Sequence, residues 1–587
     1  MRRPSVVVLA AVLVAPVAAC TSQTVAPDRA GTVVVAVDSP FASLNAGVPQ
    51  GRTAGSTLVR GLAMDRLVGL DEKGEAVPNP AVGTVAKVAD SPLTVRYTIA
   101  TGTRWSDGVP VSPADLLLEW AARSGRFDEG TPGSPAPATS AATPAPSASA
   151  AADTVEFGAT SAAVLVASAT PTLDEHGMTV VYDHPVADWR VDLDLDLPAH
   201  VVGKLALAGA PTPGASPQPS AAGWADDRWA QAVAGAIVHG DHATLARISR
   251  VWRTGFDAAA IAADPARAVT TGPYAIQSLD PGEGVTLVRN AAYAGPRPAT
   301  RDRVVVRWNL DPLAAIDALR RGDVDVVAPV VTPDVTAALS GVRDVRVATG
   351  GGAVLELELN EARGPFAAAR LRAAFLGAVP RATLASVAGA EPSDAVLASV
   401  GAARTTSPAA SSATPVVGPP VTVRVLVATG DPVRRAMFDA LTSAVAPAGF
   451  TVTVAAPADP ASALWSDPGS WDAALVPVTQ AELPVAGAVD AWHTGGATNV
   501  TGHSDQALDA LLDTLAGTAD PAAAGALLDR AGVALRDAHV VVPLARQPSL
   551  TATVPRGAGS GLPDVGQIPA VPWGSSDLSS WWSWAVR

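Results

Sequence analysis

Residues 271–293 read TGPYAIQSLDPGEGVTLVRNAAY. Tyr274, Ile276 and Leu279 form one apolar run, Pro281-Gly282 supplies a turn, and Val285, Leu287 and Val288 form the return. The spacing predicts a β-hairpin. A hairpin alone does not define a fold.

Downstream, residues 318–327 read ALRRGDVDVV: a helix with Leu313, Ile316 and Leu319 on one side, a Gly322 stop, then a buried strand. At residues 355–360 a strand ends in Asn360. Gly364-Pro365-Phe366 then starts a helix carrying Arg370 and Arg372. Further on, Gly502-His503-Ser504-Asp505 precedes Leu508, Leu511, Leu512 and Leu515, an N-capped amphipathic helix. A second helix follows over 520–536, then a buried strand over 540–544. Upstream, Asp107-Gly108 makes a tight turn, and Ser112-Pro113 opens a helix with Leu116, Leu117 and Trp120 on one face.

These five stretches, in this order, resemble the family 5 extracellular solute-binding proteins, the peptide- and nickel-binding proteins of bacterial ABC importers. The resemblance covers roughly residues 31–550. It implies an α/β protein of two lobes, similar to the type II periplasmic-binding-protein fold, with an extra domain in the first lobe. The implied division is first lobe 31–61, extra domain 62–170, first lobe again 171–310, second lobe 311–545, and a return to the first lobe over 546–587. Crossings near 308–312 and 543–547 would form the hinge. Trp105, Asp107 and the two arginines are structural by the same resemblance.

The ligand cleft is implied to lie after the first strand, making Asp38, Phe41 and Asn45 candidates. It is also implied after the strand at 471–477. There the loop 478–500 offers Gln480, Asp490, Trp492, His493 and Asn499, with the two aromatic rings in a glycine-containing loop as a platform. The aspartate that pairs a peptide's terminal amine in a W-x-x-D context has no clear equivalent here.

The N-terminus is basic (Arg2, Arg3), then apolar over 6–17, then Val17-Ala18-Ala19-Cys20. This reads as a signal peptide (1–19) ending in a lipobox, with Cys20 acylated and 20–30 a polar tether. An exported protein with an unmodified Cys20 is the other reading. The lipoprotein reading places the chain on the outer face of the cell membrane. The same cysteine is the only one among 587 residues, so an internal disulfide is excluded. A net charge of −14 disfavours a nucleic-acid partner.

Residues 128–152 are almost wholly Gly, Ser, Thr, Pro and Ala and read as a disordered insertion; 208–223 and 402–420 share that composition. Residues 191–197, VDLDLDL, read better as an alternating strand with Asp192, Asp194 and Asp196 facing water than as a calcium site. His239-Gly240-Asp241-His242 reads as a polar turn between helices in preference to a metal site. The aromatic tail, Trp581, Trp582 and Trp584, either packs on the first lobe or stacks on a ligand.

No G-x-S-x-G, H-E-x-x-H or Walker motif is present. The expectation is therefore a non-enzymatic, monomeric receptor without cofactor or metal. It binds an oligopeptide or related small solute and hands it to ABC permease subunits. The alternatives are a surface lipoprotein scaffold or solute sensor on the same shell, and a hydrolase.

Overall fold

The computed structural model describes residues 29, 31–70, 76–129, 154–158, 169–183, 185–208, 225–296, 298–350, 354–393, 396–397, 418–428, 432–457, 463–464, 467–478, 484–496, 498–518, 520–546, 549–557, 562–563 and 565. The signal segment, Cys20, Gln480 and the tryptophan tail lie outside the described residues.

Two large sheets organise the chain. The first has the order β12-β19-β11-β1-β10-β9-β8. Its strands are β1 (Thr32–Val37), β8 (Tyr274–Asp280), β9 (Gly284–Arg289), β10 (Arg303–Arg307), β11 (Val326–Ala328), β12 (Arg346–Gly350) and β19 (Ser549–Thr553). The opening hairpin is β8–β9, antiparallel from Tyr274↔Arg289 to Asp280↔Gly284. Central β1, TVVVAV, runs parallel to both β10 and β11. Its near-continuous apolar text follows from burial on both faces: Val33 and Val35 enter one core, Val34 and Ala36 another.

The second sheet has the order β14-β18-β13-β17-β15-β16. Its strands are β13 (Val354–Leu359), β14 (Glu391–Pro392), β15 (Val421–Leu426), β16 (Phe450–Val454), β17 (Ala473–Val478) and β18 (Val541–Arg546). Leu355, Leu357 and Leu359 of β13 pack with Phe366, Phe375 and Phe450 in one core. The opposite face is covered by helices Pro484–Trp492, Gln506–Ala516 and Pro521–Asp537.

A four-stranded sheet, β4-β5-β7-β6, joins the first lobe. It comprises β4 (Gly83–Asp90), β5 (Leu93–Ile99), β6 (Thr172–Asp174) and β7 (Gly177–Val181), beside the small hairpin of β2 (Val68–Leu70) and β3 (Ala76–Pro78). Val95, Tyr97, Trp105 and Trp120 share one continuous core with β1. Capping fixes the helix starts. Ser112 and Asp115 form a capping box on Pro113–Arg123. The carboxylate of Asp311 accepts from Leu313 N and Ala314 N, and Gly322 at φ 86° ends that helix. Among the described residues no helix is long and apolar enough to cross a membrane.

Several expectations are corrected. The second lobe does not begin at 311: helix Pro312–Arg321, β11 and β12 belong to the first sheet, because β11 and β12 pair with β19. The chain passes to the second lobe between β12 and β13, and back between β18 and β19. The extra unit does not end at 170, since β7 pairs with β5. Residues 191–197 form no strand. Asp192 and Asp196 are buried, where Asp192 accepts from Tyr182 Oη (3.3 Å) and Asp196 from Ala46 N (2.9 Å), while Asp194 accepts from Arg66 Nε (2.8 Å). Of the expected insertion 128–152, Asp128 is ordered and buried. It accepts from Phe157 N at 2.7 Å and Gly158 N at 2.9 Å.

Candidate functional site: the cleft between the two sheets

Strand register locates the cleft. In the first sheet Val37, the last residue of β1, lies opposite Ala328, the last of β11. Gly350, the last of β12, lies opposite Ser549, the first of β19. In the second sheet Val354, the first residue of β13, lies opposite Val478, the last of β17, and Arg546, the last of β18. The two lobe-to-lobe passages therefore leave one sheet and enter the other at the carboxyl ends of β1, β11 and β17. A crevice outside such strand ends is the usual ligand position in open α/β sheets.

On the first-lobe rim Asp38 follows β1 directly and is exposed. Trp308 follows β10 directly. It is half-buried, and its indole Nε1 donates to Pro281 O at 3.0 Å. Phe41 and Asn45 are elsewhere. The Phe41 ring is buried in the first-lobe core. The Asn45 amide, fully buried, donates to Trp252 O (2.6 Å) and accepts from Gly47 N (2.8 Å). These two residues brace the loop that Asp38 begins. Gly51 completes the bracing, since a Cβ there would meet Asn45 O at 1.6 Å.

On the second-lobe rim Val478 is 39% exposed, Val476 is half-buried and Ala474 is buried, so exposure rises along β17 toward the cleft. The expected aromatic loop after β17 is corrected: helix Pro484–Trp492 occupies much of it. Trp492 ends that helix and is buried among Val485, Leu508 and Leu512. Asp490 lies on the helix, half-buried, and its carbonyl accepts from Thr498 N. The His493 ring stands 3.8 Å from Asp509 and 3.4 Å from Asp513. The Asn499 amide donates to His493 O and His503 O. Asp490, His493 and Asn499 are thus brought together, but as fasteners of one loop. That loop meets Glu361, beyond β13, through Thr501 O. This is the end of β13 away from the passages.

Of the two motif arginines, Arg370 is exposed and Arg372 is structural in detail. Arg372 donates to Phe366 O (2.9 Å) and pairs with Glu361 (3.1 Å), which also contacts His503 Nδ1 (2.6 Å). Among the described residues no group of three or more His, Cys, Asp or Glu gathers as a metal site. His242 pairs instead with Glu129, and Asp241 caps its helix.

Two features escaped the sequence reading. Glu356 and Glu358, on the helix-covered face of β13, are only 4% and 8% exposed. The strand text VLELEL signalled one polar face but not that helices cover it. The second feature is Asp188, which belongs to the first body through its neighbour Trp189, whose carbonyl accepts from Tyr97 Oη. Asp188 reaches across and accepts from Ala486 N at 2.9 Å, in the first turn of helix Pro484–Trp492. Ala187 N donates to Ala516 O beside it. Burial pushes the Asp188 carboxyl up to about 6 against the pull of the Ala486 and Val485 amides. It is a third point of contact between the lobes, remote in sequence from both passages.

Two α/β lobes, two passages between them and a crevice at the strand ends define a two-lobed binding protein of the type II periplasmic class. The chain belongs to the bacterial extracellular solute-binding proteins, family 5, whose middle-region model matches residues 75–499. It is 27% identical over 500 residues to the uncharacterized lipoprotein Rv2585c of Mycobacterium tuberculosis, covering 81% of this chain and 80% of that one. Among solved structures it is similar to the periplasmic EDTA-binding protein EppA (TM-score 0.68, 17% identity, covering 94% of this chain and 96% of that one). It is also similar to the oligopeptide-binding protein AppA of Bacillus subtilis in complex with a nonapeptide (TM-score 0.65, 13% identity, 89% and 94%).

Proposed function

We propose that this protein is the extracytoplasmic receptor of an ABC importer. It captures an oligopeptide or related small solute between its lobes and delivers it to membrane permease subunits. The observation that carries this reading is the register: the parallel strands β1, β10 and β11 of one sheet and β15 and β17 of the other turn their carboxyl ends toward the passages, so one solute can touch both lobes at once. A solute with contacts to both lobes stabilises the closed arrangement, and only that arrangement offers the permease a joined surface. The resemblance of Val17–Cys20 to a lipobox and the lipoprotein relative support an anchor at Cys20 on the outer face of the membrane. The reading assigns no catalysis to the cleft.

Candidate ligand contacts come from the rims: Asp38 and Trp308 on one side and Val478 on the other; Gln480, outside the described residues, is proposed from the sequence alone. A thermal-shift screen with a pool of random tri- to pentapeptides tests the reading. A solute present at a hundredfold its Kd adds about 2.7 kcal/mol to the bound form. A rise in melting temperature that saturates with peptide concentration supports the receptor. A melting temperature unmoved by every pool, with the protein folded, counts against it.

A further inference from the structure

We propose that the end of the first sheet opposite the cleft is a membrane-facing surface. Its arginines meet the phosphates of anionic lipid headgroups, and the cleft is held turned away from the bilayer. The inference rests on the lipid anchor at Cys20 in the receptor reading.

The strand directions give the first sheet two unlike ends. At the cleft end stand Asp38 after β1, Asp280 and Glu283 on the β8–β9 turn, and Asp311 and Asp334 at the starts of helices Pro312–Arg321 and Pro333–Ser340, all exposed. At the opposite end Arg303 opens β10, Arg289 closes β9, Arg346 opens β12 and Arg343 lies just before it; Arg320 and Arg321 end helix Pro312–Arg321. These six arginines are exposed. The exposed aspartates among them are Asp302, Asp317, Asp323 and Asp344, and the half-buried Arg301 and Arg556 add to the positive side. Among the described residues this end is therefore basic, in a chain of net charge −14. A net charge that large already serves solubility, so solubility does not account for the segregation.

The place where the chain enters the fold points to the occupant. Arg29 donates to Gly322 O and pairs with Asp325, which pins the segment before β1 to the basic end, and Thr32 lies opposite Arg303. Cys20 precedes Arg29 by nine residues, a reach of about 30 Å at most. An anchor on Cys20 thus keeps the basic end within that reach of the headgroups. A single-point anchor leaves the molecule free to swivel. Arginines facing phosphate resist the rotation, since each planar fork can take two phosphate oxygens. Three of the six sit in exposed pairs, Arg289 with Asp302, Arg320 with Asp317 and Arg321 with Asp323. Such pairs hold weakly in water and leave the guanidinium able to turn to a phosphate. The side chains of Arg303 and Arg343 have no partner among the described residues. In this pose the acidic cleft end, with Asp38 and Trp308 on its rim, faces the medium from which solute arrives.

The test is flotation of the purified mature chain, with Cys20→Ser to leave off the lipid, on vesicles of phosphatidylcholine alone or with about 30% phosphatidylglycerol, in ~50 mM salt. The expected result is at least about fivefold more protein on the anionic vesicles, falling below about twofold in ~500 mM salt, where exposed charges are screened. Arg303→Glu/Arg320→Glu/Arg343→Glu brings flotation down to the phosphatidylcholine level, and the milder glutamine triple at the same positions halves it. Arg370→Glu/Arg435→Glu/Arg530→Glu makes the same change of net charge on exposed residues of the second lobe and keeps most of the binding. Equal flotation on the two vesicles, or a loss in the second-lobe triple as large as in the first, overturns the surface and leaves the receptor reading to its peptide screen. A native protein whose mass shows no diacylglyceryl group on Cys20 removes the anchor, and the membrane-facing surface with it.

Discussion

Glu358 shows how one residue ties burial to pH. Its carboxyl is pushed up to about 7 by burial, so the folded protein prefers it protonated. The stability from this preference is full below the ordinary glutamate value and is lost as pH rises through about 7. Linkage puts the loss at ~3 kcal/mol. Denaturant melts should therefore show the native protein more stable at pH 5 than at pH 8. Glu358→Gln should flatten that difference by a comparable amount; an unchanged slope would contradict the assigned environment. Little of this was legible in advance. VLELEL announces alternation, and alternation ordinarily places glutamate in water. The covering layer comes from helices more than a hundred residues later in the chain. The same reason explains residues 191–197, where alternating aspartates are buried acceptors for Tyr182, Arg66 and the Ala46 amide.

At the scale of elements, helix Pro484–Trp492 replaces the expected open loop. Its text, PVAGAVDAW, is short and poor in charge, which disguised an amphipathic helix as a glycine-containing loop. Trp492 closes the helical layer over β18 through Val485, Leu508 and Leu512. Trp492→Ala should cost ~3–5 kcal/mol of stability, as removal of a buried aromatic does. The affinity of the remaining folded protein for solute should change less than twofold. Urea unfolding and calorimetry on the same sample separate the two, and a large affinity loss without destabilisation would restore Trp492 as a ligand platform. Better announced were elements with their own punctuation. The β8–β9 hairpin follows from its Pro-Gly turn. Helix Gln506–Ala516 follows from Asp505, whose carboxylate accepts from Ala507 N and Leu508 N.

For the molecule as a whole, the passages and the Asp188 contact govern how the lobes sit. The two-sheet architecture was legible because each half carries its own strand and helix text. The position of the first passage was not: β11 and β12 return to the first sheet by pairing with β19, roughly 200 residues later. Asp188 gives the lobe contact a pH sign. Its carboxyl is pushed up to about 6 in contact, so the contact is strongest below the ordinary aspartate value and weakens as pH rises through about 6. Small-angle scattering of solute-free protein should give a larger radius of gyration at pH 7.5 than at pH 5. Asp188→Asn should stay compact at both, and identical radii throughout would remove Asp188 from the account.

The receptor proposal requires that the space between the lobes hold a solute. Native mass spectrometry of the purified protein tests it most directly, because a closed receptor can carry its solute through purification. The expected result is a discrete adduct that leaves on denaturation and fragments as a peptide or related small molecule. A clean solute-free mass that peptide pools at saturating concentration never shift would contradict it.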